Sequence, residues 1–485
     1  MTDWRGILKH QVISTHLPLV LIGGALVALY RGAMDARDTI THFLSFVLAQ
    51  VVLYFLAIWI IHRARASRST LVLVIAFAAL FRLSILFQPP YLSDDMYRYI
   101  WDGRVQEAGI NPYRYVPADE QLEFLRDETI YPEINRSDYA HTIYPPLAQF
   151  IYLIVTRVSQ TVTWMKTALV GFEIVAICAL MALLASFGWP RQRVLIYAWH
   201  PLIVWEIAGS GHIDAAAIAF ISLALLARRH NRDALTGVAL ACAALVKLYP
   251  LVLLPALFRR WRWRMPVAFA ATFIIAYLPY LSVGVKGVLG FLPDYTDEEG
   301  LQDGDRFFAL NSARWLLGET PVPTWIYGGV ALTVLALLAA RALFRHQREP
   351  QDYILNALAI AAAFTTLLSP QYAWYFTWTV PFLCFTAFFA WMPVFYLTTA
   401  SFILYRLWIN DQPNLDIKLG TLLYLPAAIF LVATFMRRRL ARGRRGAVIY
   451  RETTIANMIS QKRNAFEDAA LSALIDATTA AAHVT

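Results

Sequence analysis

Cysteine is nearly absent from this chain of 485 residues: Cys178, Cys242 and Cys384 are the whole set, each inside an apolar run. Their spacing fits neither a metal site nor a disulfide framework, so they are read as packing residues. Charge is scarce as well. Only 15% of residues are charged and 33 are acidic, too few for a chain kept in solution by an ionic surface. There is no glycine-rich phosphate loop, no nucleophile-elbow serine pattern and no paired-histidine metal motif. A nucleotide-dependent enzyme, a serine hydrolase and a zinc hydrolase therefore have no anchor here. The first residues, MTDWRGILKH, lack the short apolar core and small-residue cleavage site of a signal peptide, so the first apolar run is expected to be a retained span.

What the chain does have is apolar length. Residues of hydrophobic type make up 59% of it, in runs that recur at close to the ~20 residues needed to cross a bilayer. The net charge of +9 is no nucleic-acid signature, because the basic clusters abut apolar runs, as they do on the cytoplasmic side of membrane proteins. The expectation is an all-α, polytopic transmembrane helix bundle with about a dozen crossings plus re-entrant segments. Its spans are 12–30, 41–62 and 70–88, then an extracytoplasmic loop at 89–146 carrying short amphipathic helices. Runs 147–158, 163–187, 194–208 and 215–227 follow, of which 147–158 is expected to be short or re-entrant so that WPRQR falls inside. Run 234–258 has basic ends and a break at Lys247-Leu248-Tyr249-Pro250, which suits a re-entrant hairpin with the break lining a cavity. Span 265–283 leads to an acidic outer loop at 284–322, and runs 323–344, 352–369, 372–390, 391–409 and 417–436 complete a membrane domain over 1–436. The basic, alanine-rich tail 437–485 is expected in the cytoplasm and shows no chemistry.

The segment Ser93–Pro112 interrupts this pattern with a dense group of charges, and reads as one amphipathic helix. Ser93 is a good N-cap, Asp94 and Asp95 fill the first turn where carboxylates oppose the helix dipole, and Gly109 supplies the stop. Asp94 shares a face with Tyr97, Arg98 and Trp101, whereas Asp95 lies toward Tyr99 and Asp102. Two readings fit: a capped surface helix with an Asp94–Arg98 ion pair, or a helix that presents a general base. Other polar groups gather at outward turns. His212 and Asp214 in AGSGHIDA read either as a satisfied histidine and a cap or as a site. Lys247 reads as a snorkelling lysine or as a cation lining a cavity. Glu173 and Glu206 lie within apolar runs and could pair with basic groups, and Tyr144, Tyr372 and Trp374 could belong to an aromatic belt. Together they suggest transfer of a group from a lipid carrier with a phosphate leaving group, which needs one carboxylate and one cation but no general acid.

The order SDDMYRYIWDGR, GINPYRY, YPPLAQ, WHPLIVWEIAGSGHIDA, LVKLYPLVLLP, ALNSARW and SPQYAWY resembles the GT-C superfamily of membrane glycosyltransferases over about residues 70–380. It is most similar to bacterial polyprenyl-phosphate-mannose-dependent mannosyltransferases, and in layout to the catalytic subunit of the first glycosylphosphatidylinositol mannosyltransferase. The resemblance implies an inverting transfer of a sugar, mannose first, from a polyprenyl-phosphate donor to a glycan or glycolipid acceptor. The reaction would run at the outer face of a bacterial inner membrane, among membrane lipids and without nucleic acid. Carried over, Asp94 or Asp95 is the base, Asp94 slightly favoured by its face. Arg98, Trp101, Arg104, Tyr144, His212, Asp214, Lys247, Tyr249 and Tyr372 become donor- or substrate-binding, with Lys247 and the loop arginines toward the phosphate. No cofactor or metal ligand set is named, and a divalent cation stays open. Many relatives carry a sugar-binding domain after the spans; here the loops would have to recognise the acceptor. The rival reading is a transporter or lipid flippase, which predicts coupling charges near the midplane and two related halves.

Overall fold

The computed structural model describes residues 15–36, 39–318, 322–408 and 417–437, and these fold as helices and turns with no strand among them. Three long apolar helices come first: α1 (Leu17–Asp35), α2 (Ile40–Arg63) and α3 (Arg68–Ile85). Thr39 caps α2 by accepting the His42 amide, and Pro89-Pro90 follow α3, where no further helical hydrogen bond can form. The amphipathic helix α4 (Asp95–Glu107) comes next, and a long loop leads to α5 (Pro146–Thr156). The core is built by α6 (Val162–Ser186), α7 (Asp214–Arg229), α8 (Asp233–Val246) and α9 (Arg264–Tyr277), with α7 packed between α6 and α8, and α8 against α9. Helices α10 (Thr324–Phe344) and α11 (Asp352–Leu368) complete the second half, together with apolar stretches at Phe388–Leu407 and Ile417–Arg437.

Among the described residues eight helices are long and apolar enough to cross a membrane, and α5, α8 and α11 are shorter apolar helices. This is an integral membrane protein of the all-helical, polytopic kind. Where an apolar run does not form one long continuous helix, the reason is local. At 11 residues α5 is about 16 Å long at about 1.5 Å per residue, roughly half a hydrocarbon core. Run 194–208, expected as a span, is broken into a turn at Arg191–Val194, Leu195–Ala198, Pro201–Ile203 and a wide π-turn at Val204–Gly209. Pro201 cannot donate to the preceding turn, and the His200 ring accepts the Leu202 amide at 3.2 Å instead. Run 372–390 is likewise no continuous span. Thr377 and Thr379 donate to the carbonyls of Trp374 and Phe376, at 2.6 and 2.7 Å, and the chain winds tightly as far as Pro381. Both segments are buried inside the protein, which is where irregular backbone is tolerated at membrane depth.

By internal contacts the chain divides after Ala427. Of the second unit, Ala428–Arg437 is described and is helical, with its apolar side chains largely exposed. The expected acidic turn at 410–416 and the tail from 438 onward lie outside the described residues.

Two glycines place the segments that matter. A Cβ on Gly103 of α4 would stand 2.7 Å from the Tyr152 carbonyl and 2.5 Å from the Thr156 hydroxyl, so glycine is what lets α4 lie directly on α5. The same contact stacks Tyr99 on Tyr152 at 4.6 Å. Gly211 has φ +78, and a Cβ there would collide with the Met96 side chain. The turn before α7 is thereby pressed against the start of α4.

Candidate active site

The start of α4 is built a little differently from its expected form. Asp94 is the N-cap residue and Asp95 the first helical one, while the Ser93 hydroxyl accepts the Asp95 amide at 3.2 Å. The helix stops at Gly109, φ +77, as its sequence implies. Asp94 forms no pair with Arg98; its Oδ1 accepts a 2.6 Å bond from Asn135 Nδ2. Arg98 instead bonds Asp102 at 2.8 Å and the Ala140 carbonyl at 3.0 Å. Thr142 and Gln149 supply the rest of the Asp102 carboxylate's partners, at 2.5 and 2.8 Å. This buried network fastens the loop around residue 140 to α4.

Asp94 and Asp95 both open onto a cavity of about 330 Å³, whose other walls include Asn135, Arg136, Tyr144, Lys247, Tyr295, Tyr372 and Tyr375. Four separate regions of the chain thus meet at the carboxylate pair. Loss of water around Asp94, and next the charge of Asp95, push its carboxyl above the ordinary range, against the pull of Asn135. A raised value in the folded state means that folding takes up a proton, so the ionised carboxylate costs stability above that value and nothing below the ordinary range. Asp94→Asn is therefore expected to melt level with or about 1–2 °C above the parent at neutral pH, a small shift because the group opens onto water. The gap closes as pH falls through the raised value; a clear drop in melting temperature at pH 7 would contradict this account.

Lys247 sits in extended backbone just after α8, where the apolar run breaks. Its ammonium bonds Asp214 Oδ2 at 2.6 Å, and the Tyr249 hydroxyl donates to Asp214 Oδ1 at 2.9 Å. Asp214 is fully buried at the first turn of α7. A second, apolar cavity of about 410 Å³ lies beside the first, lined by Leu248, Tyr249, Val252, Phe364, Leu368 and Trp378 among others. Lys247, Tyr144, Tyr295 and Tyr375 belong to both cavities. A cation therefore stands where a polar chamber meets a greasy one.

Of the residues expected from sequence, Asp94, Asp95, Arg98, Tyr144, Lys247 and Tyr372 line the first cavity and Tyr249 the second. Arg98 does so while paired with Asp102 and bonded to the Ala140 carbonyl. His212 lies just beneath, its ring stacked on Trp374 at 4.4 Å. Trp101 and Arg104 are elsewhere. Trp101 packs with Val105, Leu122 and Ile134, and Arg104 is bound to Gln160, the Leu125 carbonyl and Asp127, so both hold the loop onto α4 away from the cavity. The structure also adds groups. Arg136 pairs with Glu298 at 2.6 Å, the hydroxyls of Tyr295 and Tyr375 meet at 3.0 Å, and Arg306 forms a buried pair with Glu299 behind them. Asn135 and Arg136 belong to YPEINRSDY and the glutamates to the acidic outer loop, both visible in sequence, but nothing in either stretch says that they meet. Among the described residues no three His, Cys, Asp or Glu side chains are gathered to hold a metal ion.

Residues 9–263 match the family profile described as alpha-(1->6)-mannopyranosyltransferase, N-terminal domain, a match that covers more than half of the chain and includes the carboxylate pair, His212, Asp214 and Lys247. The chain belongs to the alpha-(1->6)-mannopyranosyltransferase family. It is accordingly a membrane glycosyltransferase, and mannosyl is the group its family transfers. No curated protein matches it. The aromatic wall of this mannosyltransferase, Tyr372 to Tyr375, lies beyond the matched segment and is joined to it by the fold.

Proposed function

We propose that the mannosyl donor is a polyprenyl-phosphate-linked sugar and that one carboxylate of the Asp94–Asp95 pair is the general base. The observation that carries this reading is Lys247 at the junction of the two cavities. Such a donor has three parts in a row: a polar sugar, an anionic phosphate and an apolar chain. The cavity with the carboxylates suits the sugar, Lys247 the phosphate, and the apolar cavity the first isoprene units. In the reaction the acceptor O–H breaks, its proton goes to the carboxylate, and the oxygen bonds C1 as the C1–O(phosphate) bond breaks. The departing electron pair rests on the phosphate, where the Lys247 ammonium stabilises it, so no general acid is required. Attack opposite the leaving group inverts C1, and an alpha-linked product then calls for a beta-linked donor. The acceptor is a glycan or glycolipid hydroxyl reaching the carboxylates from the loop side.

A lipid donor of this kind places the site on the extracytoplasmic face of a cell membrane. The basic stretches at 63–68 and 259–264 support that side by the charge rule. Cysteines introduced at the exposed positions Glu107 and Asp297 are expected to label with an impermeant thiol reagent applied from outside, and one at Arg65 is not. Labelling at Arg65 with protection of the other two would put the carboxylates in the cytoplasm, where a nucleotide sugar becomes the natural donor.

A further inference from the structure

The two carboxylates differ in what stands behind them. Asp94 is held by a neutral amide, Asn135, which cannot take a proton onward. Asp95 is backed by a buried row of ionisable groups. His212, 1% exposed, has Nδ1 3.9 Å from Asp95 Oδ2 and Nε2 3.3 Å from Glu206 Oε2. Glu206 is fully buried on the π-turn and accepts a 2.5 Å bond from the Tyr405 hydroxyl through its other oxygen. The His212 amide donates to the Glu206 carbonyl at 2.9 Å, and Trp374 covers the ring, so the imidazole is fixed in place and out of reach of substrate.

Neither ring nitrogen makes a hydrogen bond of normal geometry, although a carboxylate oxygen lies 3.9 Å from Nδ1 and another 3.3 Å from Nε2. Buried polar atoms left in this state are uncommon and call for an explanation. A neutral imidazole with its one proton toward Glu206 turns a lone pair toward Asp95, acceptor against acceptor. One added proton resolves the conflict: Asp95, His212 and Glu206 then form a continuous donor–acceptor line. Forming that line needs about 1 Å of movement of the Asp95 carboxylate toward Nδ1 and a reorientation of the Glu206 carboxylate to meet Nε2. The other charged groups nearby are already committed. Lys166, whose stem lies over Gly211, gives its ammonium to the Gln88 carbonyl, and Asp214 is paired with Lys247.

We propose that Asp95 is the base of the pair and that His212 is the positioning residue behind it, receiving the acceptor's proton from Asp95 while Glu206 and Tyr405 hold the resulting imidazolium. The inference rests on the donor and base reading given above. The acceptor's proton moves to Asp95 and on to His212 Nδ1, which leaves Asp95 ionised. It returns to water through the cavity before the next turnover, and nothing is oxidised or reduced. The arrangement is better satisfied after proton transfer than before it, which is the property that lowers a barrier.

His212→Gln is expected to lower kcat by about 10- to 100-fold, the size usual for a group acting through another, with KM for the donor little changed. The acid limb of its pH–rate profile should shift from the parent's. Glu206→Gln should act in the same direction, and it keeps the test open if His212→Gln fails to fold. In an Asp95→Asn background His212→Gln should cost nothing more, because its effect passes through that carboxylate. Independent, multiplying losses, or a slower enzyme with the parent's pH profile, would make His212 a packing residue and overturn the proposal. Asp94→Asn abolishing transfer while Asp95→Asn retains it would also overturn it and leave the carboxylate-base reading standing. Transfer by both single variants and by the double variant would instead remove that reading itself.

Discussion

Asp95→Asn is expected to lower mannosyl transfer by about 10²–10⁴-fold, roughly 3–5 kcal/mol of barrier, in a protein that inserts and folds like the parent. The substitution is isosteric and leaves intact the hydrogen bond that the Asp95 backbone N–H donates to the Ser93 hydroxyl. What it removes structurally is one charge at a helix N-terminus, worth about 0.3–1 kcal/mol at an exposed site. Rate and stability are thereby separated. Asp94→Asn makes the companion case: its side chain forms no capping bond to lose, and an asparagine still reaches Asn135. Its loss should be smaller and fall on substrate binding, since Asp94 borders the same cavity without a partner that can carry a proton away. Steady-state rates at saturating donor, beside melting curves of both variants, give the comparison.

Lys247 carries the second large effect, and the structure changes how it has to be tested. Truncating it to alanine breaks a pair with a fully buried Asp214, which costs about 3–5 kcal/mol because an uncompensated carboxylate is left behind. Lost activity in Lys247→Ala alone would therefore not separate a phosphate cation from a structural counter-ion. The double variant Lys247→Met with Asp214→Asn removes both charges together and should recover most of the melting temperature. Transfer is expected to stay down by about 10²–10³-fold, the usual loss when a group stabilising a departing charge is removed. A double variant that recovers transfer along with stability would reduce Lys247 to the partner of Asp214. Arginine at 247 is a poor substitute, since a planar fork does not occupy the place of a compact ammonium.

Much of this architecture was legible in sequence where the cause is local. Apolar runs marked the long helices, the Ser93 hydroxyl and Gly109 marked the ends of α4, and the Pro250 break marked Lys247 as a residue lining a cavity. Helical spacing could not say which partner wins when two are equally placed. Arg98 is one turn from both Asp94 and Asp102, and it takes Asp102 because Thr142 and Gln149, brought in by the loop and α5, complete that carboxylate's bonds. Spacing also put Trp101 on the Asp94 face, but α4 is covered on several sides, and that part of its surface meets Leu122 and Ile134 rather than the cavity. The runs 194–208 and 372–390 looked like spans because hydropathy does not register the prolines and threonines that wind them into tight turns. The row from Asp95 through His212 and Glu206 to Tyr405 joins residues more than 300 positions apart, and no local pattern announces it.

The most direct measurement is made on the purified protein in lipid, offered radiolabelled mannose either as polyprenyl-phosphate mannose or as a nucleotide-diphosphate mannose, with a glycolipid acceptor extract. Label is expected to move to the acceptor from the lipid-linked donor alone, with polyprenyl phosphate released in equal amount, and Asp95→Asn is expected to cut both by about 10²–10⁴-fold. Transfer from the nucleotide sugar with the lipid-linked donor left intact would contradict it.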